Sequence, residues 1–490
     1  MRRKGSQRIF QELRVCGIAL ILSFCSAAVA ESGFHAGFLF DEFPLTLDEG
    51  HCTEAVGPLF YDQQKNSERT WAVPPLFSHD TDPAVESRED DLLYPMLTYE
   101  RFGTQYRWQL IQLLSFSGGR EQNDAEKRRF TLFPIYFQQR SPDTNENYTA
   151  VFPFYGHFKN RLMRDETSFV MFPIFSETKK RGIVTDNYLY PFFHLRHGDG
   201  LRGWQALPFA GAEHKDVTTV TNGFGDVETV AGHDQLFALW PIHFRQNNGI
   251  GTDDPEKFRA DLPFYSTLRS PNCDSTTVLW PFFTWIDNRE KKYREWQAPW
   301  PFVIFARGEG KTTSRVFPLF NQSHNDTVED DSYLWPLYRH RKVHDDPLEL
   351  THDNILIYLY AAMTEKNTQT GAEKRSLNMM PFFTWRRDFD GNERLQIFAP
   401  VEPALQNNRG IERNWSPLWS VWRWEHNPKT GAASESLLWN LYRRDTSSGV
   451  KKCSLLFGLF QYQSDGENKR LRLFYIPVLR THQTAGQSAK

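Results

Sequence analysis

The sequence predicts an all-β fold built from repeats. Three observations point there: short apolar segments centred on proline, an aromatic content of 15% from 40 Phe, 18 Tyr and 15 Trp, and polar turn clusters between the segments. The motif is an apolar pair, then Pro, then one or two more apolar residues. Leu132-Phe133-Pro134-Ile135-Tyr136, Val151-Phe152-Pro153-Phe154-Tyr155 and Leu334-Trp335-Pro336-Leu337-Tyr338 are clear copies, and most neighbouring prolines stand 17 to 23 residues apart. Proline at the centre of each run argues against helix, because it removes a donor and clashes with the preceding turn. Phe, Tyr, Trp, Val and Ile suit strands.

The N-terminus comes first in chain order. Arg2, Arg3, Lys4, Arg8 and Arg14 precede an apolar run, Val15 to Ala30, which ends in Ala28-Val29-Ala30 before Glu31. Basic, apolar and small-residue segments in that order predict a signal peptide over residues 1–30. Sixteen residues are short of the roughly 20 that a spanning helix needs. Phe24 before Cys25 argues against a lipid-anchored cysteine, since a small residue is expected there. The predicted location is therefore across the plasma membrane, which in a Gram-negative bacterium means the periplasm, outer membrane or cell surface. Cleavage takes the chain from a net charge of −3 to near −7.

The mature chain divides into residues 31–91 with the first repeats, residues 92–480 with four longer repeats, and a flexible tail over 481–490. The longer period shows in Arg107-Trp108-Gln109, Gly203-Trp204-Gln205, Glu295-Trp296-Gln297 and Arg394-Leu395-Gln396, whose glutamines are 96, 92 and 99 residues apart. Five units of roughly 19 residues thus make a block of roughly 95. One member, near Thr221 to Val230, is degraded, and some copies have lost proline, as in Leu438-Trp439-Asn440-Leu441-Tyr442. Polar clusters such as His197-Gly198-Asp199-Gly200 and Asp388-Phe389-Asp390-Gly391-Asn392 read as turns.

One strand and one turn per unit gives about 22 short strands in an antiparallel meander, closed as a propeller-like ring or a large barrel. Each proline then either kinks a strand or starts one. One difficulty stands: a copy shifted by five strands of a strict meander would run the opposite way.

Composition excludes several functions. A net charge of −3 and a pI near 6.6 do not suit a general nucleic-acid binder. Cys52, Cys273 and Cys453 are an odd number and too far apart for a Cys-x-x-Cys motif, so they read as buried small residues. No phosphate-cradling loop, nucleophile elbow or His-Glu-x-x-His motif is present. His340, His344 and His352-Asp353 read as a solvated loop rather than a metal site, and Asp253-Asp254 and Asp330-Asp331 as solvated turns. The expectation is no enzyme, no catalytic residue, no metal and no cofactor.

The function expected is a non-enzymatic, exported cell-envelope scaffold, with a glycan or another envelope protein as partner. An outer-membrane β-barrel, porin-like or a transport or assembly channel, is the alternative, so membrane association stays open. Candidate binding residues are Trp108, Gln109, Trp204, Gln205, Trp296 and Gln297, where a Trp could stack on a sugar ring while its Gln bonds a hydroxyl. The plainer reading makes each Trp a core residue, which Leu395 in the fourth copy favours. Arg245, Arg339, Arg386-Arg387 and Arg443-Arg444 follow apolar runs and could meet an anionic polymer. Acidic neighbours make a solvated rim the plainer reading there.

Overall fold

The computed structural model describes residues 37–482 apart from 121–125, 162, 222–224, 358, 406 and 467. The leader predicted over residues 1–30 and most of the tail predicted over 481–490 lie outside the described residues. The fold is all-β: a 43-stranded antiparallel meander runs from Phe40–Pro44 to Ile476–His482, each strand pairing with the next. The sheet is not closed by strand pairing, so the predicted propeller or barrel closure is not what is observed.

The strand count is about twice the 22 expected, because each unit is a hairpin rather than a single strand. The apolar segments that the sequence marks as strands are the turns. Leu279-Trp280-Pro281-Phe282 joins Cys273–Val278 to Phe283–Asn288, and Leu334-Trp335-Pro336-Leu337 joins Val328–Tyr333 to Tyr338–Asp345. In these turns proline neither kinks nor starts a strand; Pro477, near the start of the last strand and beside a register shift, is the exception. The segment from Tyr148 to Phe158 likewise falls in two strands, Tyr148–Val151 and Tyr155–Arg161, around the turn at Phe152-Pro153-Phe154.

Two strands per unit remove the directional difficulty. Gln109, Gln205, Gln297 and Gln396 lie on the eighth, eighteenth, twenty-eighth and thirty-eighth strands in chain order, so equivalent strands run the same way. The degraded unit leaves the sheet: Thr218–Thr221 and Val227–Val230 form a separate hairpin, while Ala210–Lys215 pairs directly with Gly232–Ala238.

Register is continuous across hairpins. Asp41, Glu54, Tyr61, Ala72, Ser78, Asp91 and Thr98 are successive cross-strand partners, one row on one face. Gln109, Gln205, Gln297 and Gln396 occupy the same row further on. We call this the inner face, because the two ends of the sheet meet through it. Small or hydrogen-bonded residues dominate its buried positions, including Ala72, Ala150, Ser266, Thr277 and Thr284.

There is little conventional core. The described strands form a single layer in which most positions on both faces keep partial exposure. One hydrophobic cluster, Tyr148, Ala150, Phe158 and Phe169, is packed on the inner face.

The ends of the sheet are tied by side chains. Two short helices, Arg409–Asn414 and Ser416–Trp419, occupy an insertion between the strands Glu393–Ile397 and Trp422–Asn427. Arg413 from this insertion reaches Ser78, Glu89 and Asp91. Further along, Asn440 Nδ2 donates to Glu54 at 2.6 Å, the Arg443 guanidinium lies over the Phe43 ring at 3.3 Å, and Phe38 meets Phe457 edge-on.

Candidate functional site: an apolar edge of hairpin turns

In a meander every second turn lies on the same edge of the sheet, and the repeat places all its apolar segments on one of them. Phe133 is 58% exposed, Phe264 69% and Trp335 50%, and their neighbours Leu239, Phe282, Leu319 and Phe382 are also exposed. Outside the 398–421 insertion, no Asp, Glu, Lys or Arg is found among the described residues of these turns. The other edge carries the polar turns, such as Gly198-Asp199-Gly200 and Asp388–Asn392. The ribbon is thus amphipathic from edge to edge rather than from face to face.

Local chemistry explains the turns. Where proline is present it sits at the third position of a turn closed by an i to i+3 hydrogen bond, as from Phe282 N to Leu279 O at 2.9 Å and Leu337 N to Leu334 O at 2.8 Å. The X–Pro bond is cis in both, which makes them type VI turns. Copies without proline take another route. Ile111 and Gln112, and Trp439 and Asn440, are consecutive residues with positive φ, as a type I′ hairpin turn requires.

The hydrogen-bond ladder does not stop at the strand ends. Leu189 N donates to Ile174 O, Leu334 N to Leu319 O and Met380 N to Leu359 O, each linking one turn to the next at 2.7 to 3.0 Å. Proline, which has no N–H, removes a further donor from the tip. Backbone groups along this edge are therefore largely satisfied within the protein, the condition a low-dielectric surrounding imposes.

The predicted binding residues are not gathered into one site. Trp108, Trp204 and Trp296 lie in the row next to the glutamine row, and alternation along a strand sends each Trp to the outer face and its Gln to the inner face. Trp204 and Gln205, for example, cannot hold the same ring from the same side. The three tryptophans are 42%, 47% and 40% exposed, so they do not lie in a core. Tyr99 packs on Trp108 with ring centroids 4.5 Å apart, and Phe305 stacks on Trp296 at 6.1 Å.

No family model matches the chain, and no curated protein is similar to it in sequence.

The remaining candidates resolve into ordinary sheet contacts. His340 lies in a strand, not a loop, with Nδ1 2.7 Å from Asp353 Oδ1, and His344 lies between Glu329 and Glu349. Asp330 and Asp331 lie within the strand Val328–Tyr333 rather than in a turn, and Arg339 binds Asp330 with two donors. Asp253 and Asp254 do lie in a turn. Arg386 pairs with Glu412 at 2.8 Å, and Arg443 is buried against Asp445. Among the described residues no cluster of His, Cys, Asp and Glu could hold a metal. Cys52, Cys273 and Cys453 are all free; burial pushes the Cys52 thiol far up, which leaves it unreactive.

The 398–421 insertion went unread in the sequence. Its Glu402 is 2% exposed and accepts from Ser416 Oγ, Trp419 Nε1 and Gln396 Nε2 at 2.5 to 2.8 Å. Burial raises the Glu402 pKa, but these hydrogen bonds outweigh it and hold the carboxyl below its usual value. A signal was available: charged residues, Glu402, Arg409, Glu412 and Arg413, interrupt a position where every other unit is apolar.

Proposed function

We propose that the protein is a non-enzymatic scaffold of the cell envelope, a one-layer β wall that stands on a lipid surface by its apolar edge. The observation that carries this is the segregation of apolar turns to one edge and polar turns to the other. An exposed apolar band of this length on a soluble monomer would be an aggregation site; rimmed by polar strands it fits a membrane surface. Each half-exposed Leu, Phe or Trp contributes on the order of 1 kcal/mol when covered, and the repeat supplies many in one line.

The depth is that of one leaflet. A six-residue strand is about 20 Å long; the turn and the strand residue next to it are apolar, roughly 10 Å, and on the outer face exposed apolar side chains such as Leu195, Trp204 and Trp285 reach one row further. One leaflet contributes about half of a ~30 Å hydrocarbon core. The second reading, a membrane-spanning outer-membrane barrel, shares the export signal. It needs strands of about 9–11 residues with an apolar lipid face. The longest strands here have 8 residues, and strands such as Arg164–Val170 carry charge on both faces. The polar edge and the outer face, with Trp108, Trp204 and Trp296, remain for a glycan or protein partner.

Vesicle flotation of the mature chain tests the reading. Wild type should float with vesicles of bacterial lipid composition, and Phe282→Asp combined with Leu337→Asp should reduce the bound fraction several-fold. Ser67→Asp combined with Ser448→Asp, in turns of the polar edge, should not. Wild type remaining at the bottom of the gradient would sink the proposal.

A further inference from the structure

The apolar edge is not uniform on its inner side. Between the turns at Phe152 and Tyr190 a groove of about 620 Å³ opens on the inner face, within the roughly 300–1,000 Å³ of small-molecule sites. Its end nearest the edge is aromatic. Phe152 lies 5.9 Å from Phe169 and 5.5 Å from Phe172, and Phe172 lies 5.8 Å from Tyr190, all between ring centroids. Phe158 and Phe169 belong to the one packed hydrophobic cluster, so this wall is held in place.

Away from the edge the lining turns polar. Ser176 and Asn187 form a floor that bonds to itself, with Asn187 Nδ2 3.3 Å from Ser176 Oγ. Farther on, Arg164 and Arg196 line the groove, and Arg196 is held by Glu213 at 2.6 Å. Thr167 Oγ1, also in the lining, is buried and has no hydrogen-bond partner. His194 is held below its ordinary pKa by burial, then by Arg196, and so stays neutral near pH 7. An apolar end continuous with the lipid-facing edge and a cationic end about one strand length away match the two ends of a single amphiphile.

We infer that this groove holds one acyl chain of an anionic membrane lipid, with the tail on Phe152, Phe169, Phe172 and Tyr190 and the phosphate toward Arg164 and Thr167. The inference rests on the reading of the edge as lipid-facing, and it makes the wall selective for a lipid molecule as well as adherent to a bilayer.

The test uses the mature chain on phosphatidylglycerol vesicles doped with phosphatidylglycerol bearing a diazirine at one acyl terminus. Photo-crosslinked peptides are mapped by mass spectrometry. Crosslinks should be at least fivefold enriched in the segments 152–158, 167–176 and 187–194 over other apolar turns such as 262–265 and 317–320. Thr178→Trp, which fills the groove, should abolish the enrichment while flotation and thermal midpoint stay unchanged. Arg164→Gln, a change at the groove mouth, should lower the enrichment and remove the preference over an equivalent phosphatidylcholine probe. Even labelling of all apolar turns, or enrichment that survives Thr178→Trp in a folded protein, overturns the inference. If wild type does not float, the edge reading fails by itself; the same lipid probe in detergent micelles then decides the groove by the same enrichment.

Discussion

Arg413 Nη2 lies 2.5 Å from Asp91 Oδ2, joining residues 322 positions apart in the sequence. Asp91 is fully buried and Arg413 7% exposed. The same guanidinium reaches Glu89 at 2.5 Å and Ser78 Oγ at 3.0 Å, and Asn414 Nδ2 adds a bond to Asp91 at 2.9 Å. A sheet that is open by backbone pairing is thus drawn together at this point by one buried cation bound to carboxylates of a distant strand.

Removing that cation leaves the buried Asp91 carboxylate without a counter-ion, with only the neutral donors Ser78 Oγ and Asn414 Nδ2 remaining. Arg413→Met should destabilise the protein by about 3–5 kcal/mol, the cost of orphaning one partner of a buried pair. Asp91→Leu in the same chain should restore much of the loss, because an apolar pair of similar volume tolerates burial well. Urea unfolding followed by tryptophan fluorescence measures both. A single-mutant loss below 1 kcal/mol would show that the ends hold together without Arg413.

Asn440 makes a second link that the repeat pattern disguises. By alignment it is a lost proline, so Asn440→Pro should look like restoration of the consensus. The structure predicts the reverse. Asn440 has a φ of 66°, which proline cannot adopt, and its side chain donates to the buried Glu54 and accepts from Ser436 Oγ at 2.7 Å. Leaving Glu54 short of a donor costs about 1–3 kcal/mol, with the backbone conflict added. Asn440→Pro should therefore lower the thermal midpoint by several degrees; an unchanged or raised midpoint would contradict the contact.

The repeat, its two periods, the degraded unit and the β character were legible in the sequence. The assignment of strand and turn was not, and the reason is physical. Sequence reading places strands where apolar residues gather, because a strand normally has a face to bury. Here the strands have almost none. Val328-Glu329-Asp330-Asp331-Ser332-Tyr333 is a central strand with four polar residues in a row, stabilised by ladder bonds and cross-strand pairs such as Asp330 with Arg339. The apolar residues are spent on the edge, as in Leu334-Trp335-Pro336-Leu337. Trp204 illustrates the same limit at the candidate site. Its adjacency to Gln205 suggested one binding pair, whereas strand alternation places them on opposite faces. Arg413 and Glu54 could not be paired from sequence at all, because their partners lie more than 300 residues away.

Glu402 gives the insertion a pH dependence whose sign follows from its shift. Its folded carboxyl lies below the usual value, so the stabilisation is present above the unfolded pKa, about 4.3, and is lost as pH falls through the folded pKa. Trp419, which donates to Glu402 at 2.8 Å, is a built-in reporter. Tryptophan emission should shift as acid is added below about pH 4, and Glu402→Gln should remove that transition while lowering stability at pH 7. A transition that persists in Glu402→Gln would assign it to another group.

The tryptophans themselves divide the molecule by height and so test the orientation of the wall. Trp240, Trp280, Trp300 and Trp335 are in apolar turns, whereas Trp108, Trp204 and Trp296 are on strands. All are at least 40% exposed, so all should be quenched by iodide in detergent-free buffer. On vesicles the two groups should separate. Single-tryptophan variants retaining Trp280 or Trp335 should lose most iodide quenching and gain quenching by lipids brominated in the upper half of the acyl chain. Variants retaining Trp204 or Trp296 should keep iodide quenching and show no bromine effect. If the strand tryptophans were instead quenched by bromine at the bilayer centre, the sheet would cross the membrane, and the single-leaflet depth argued from strand length would be wrong.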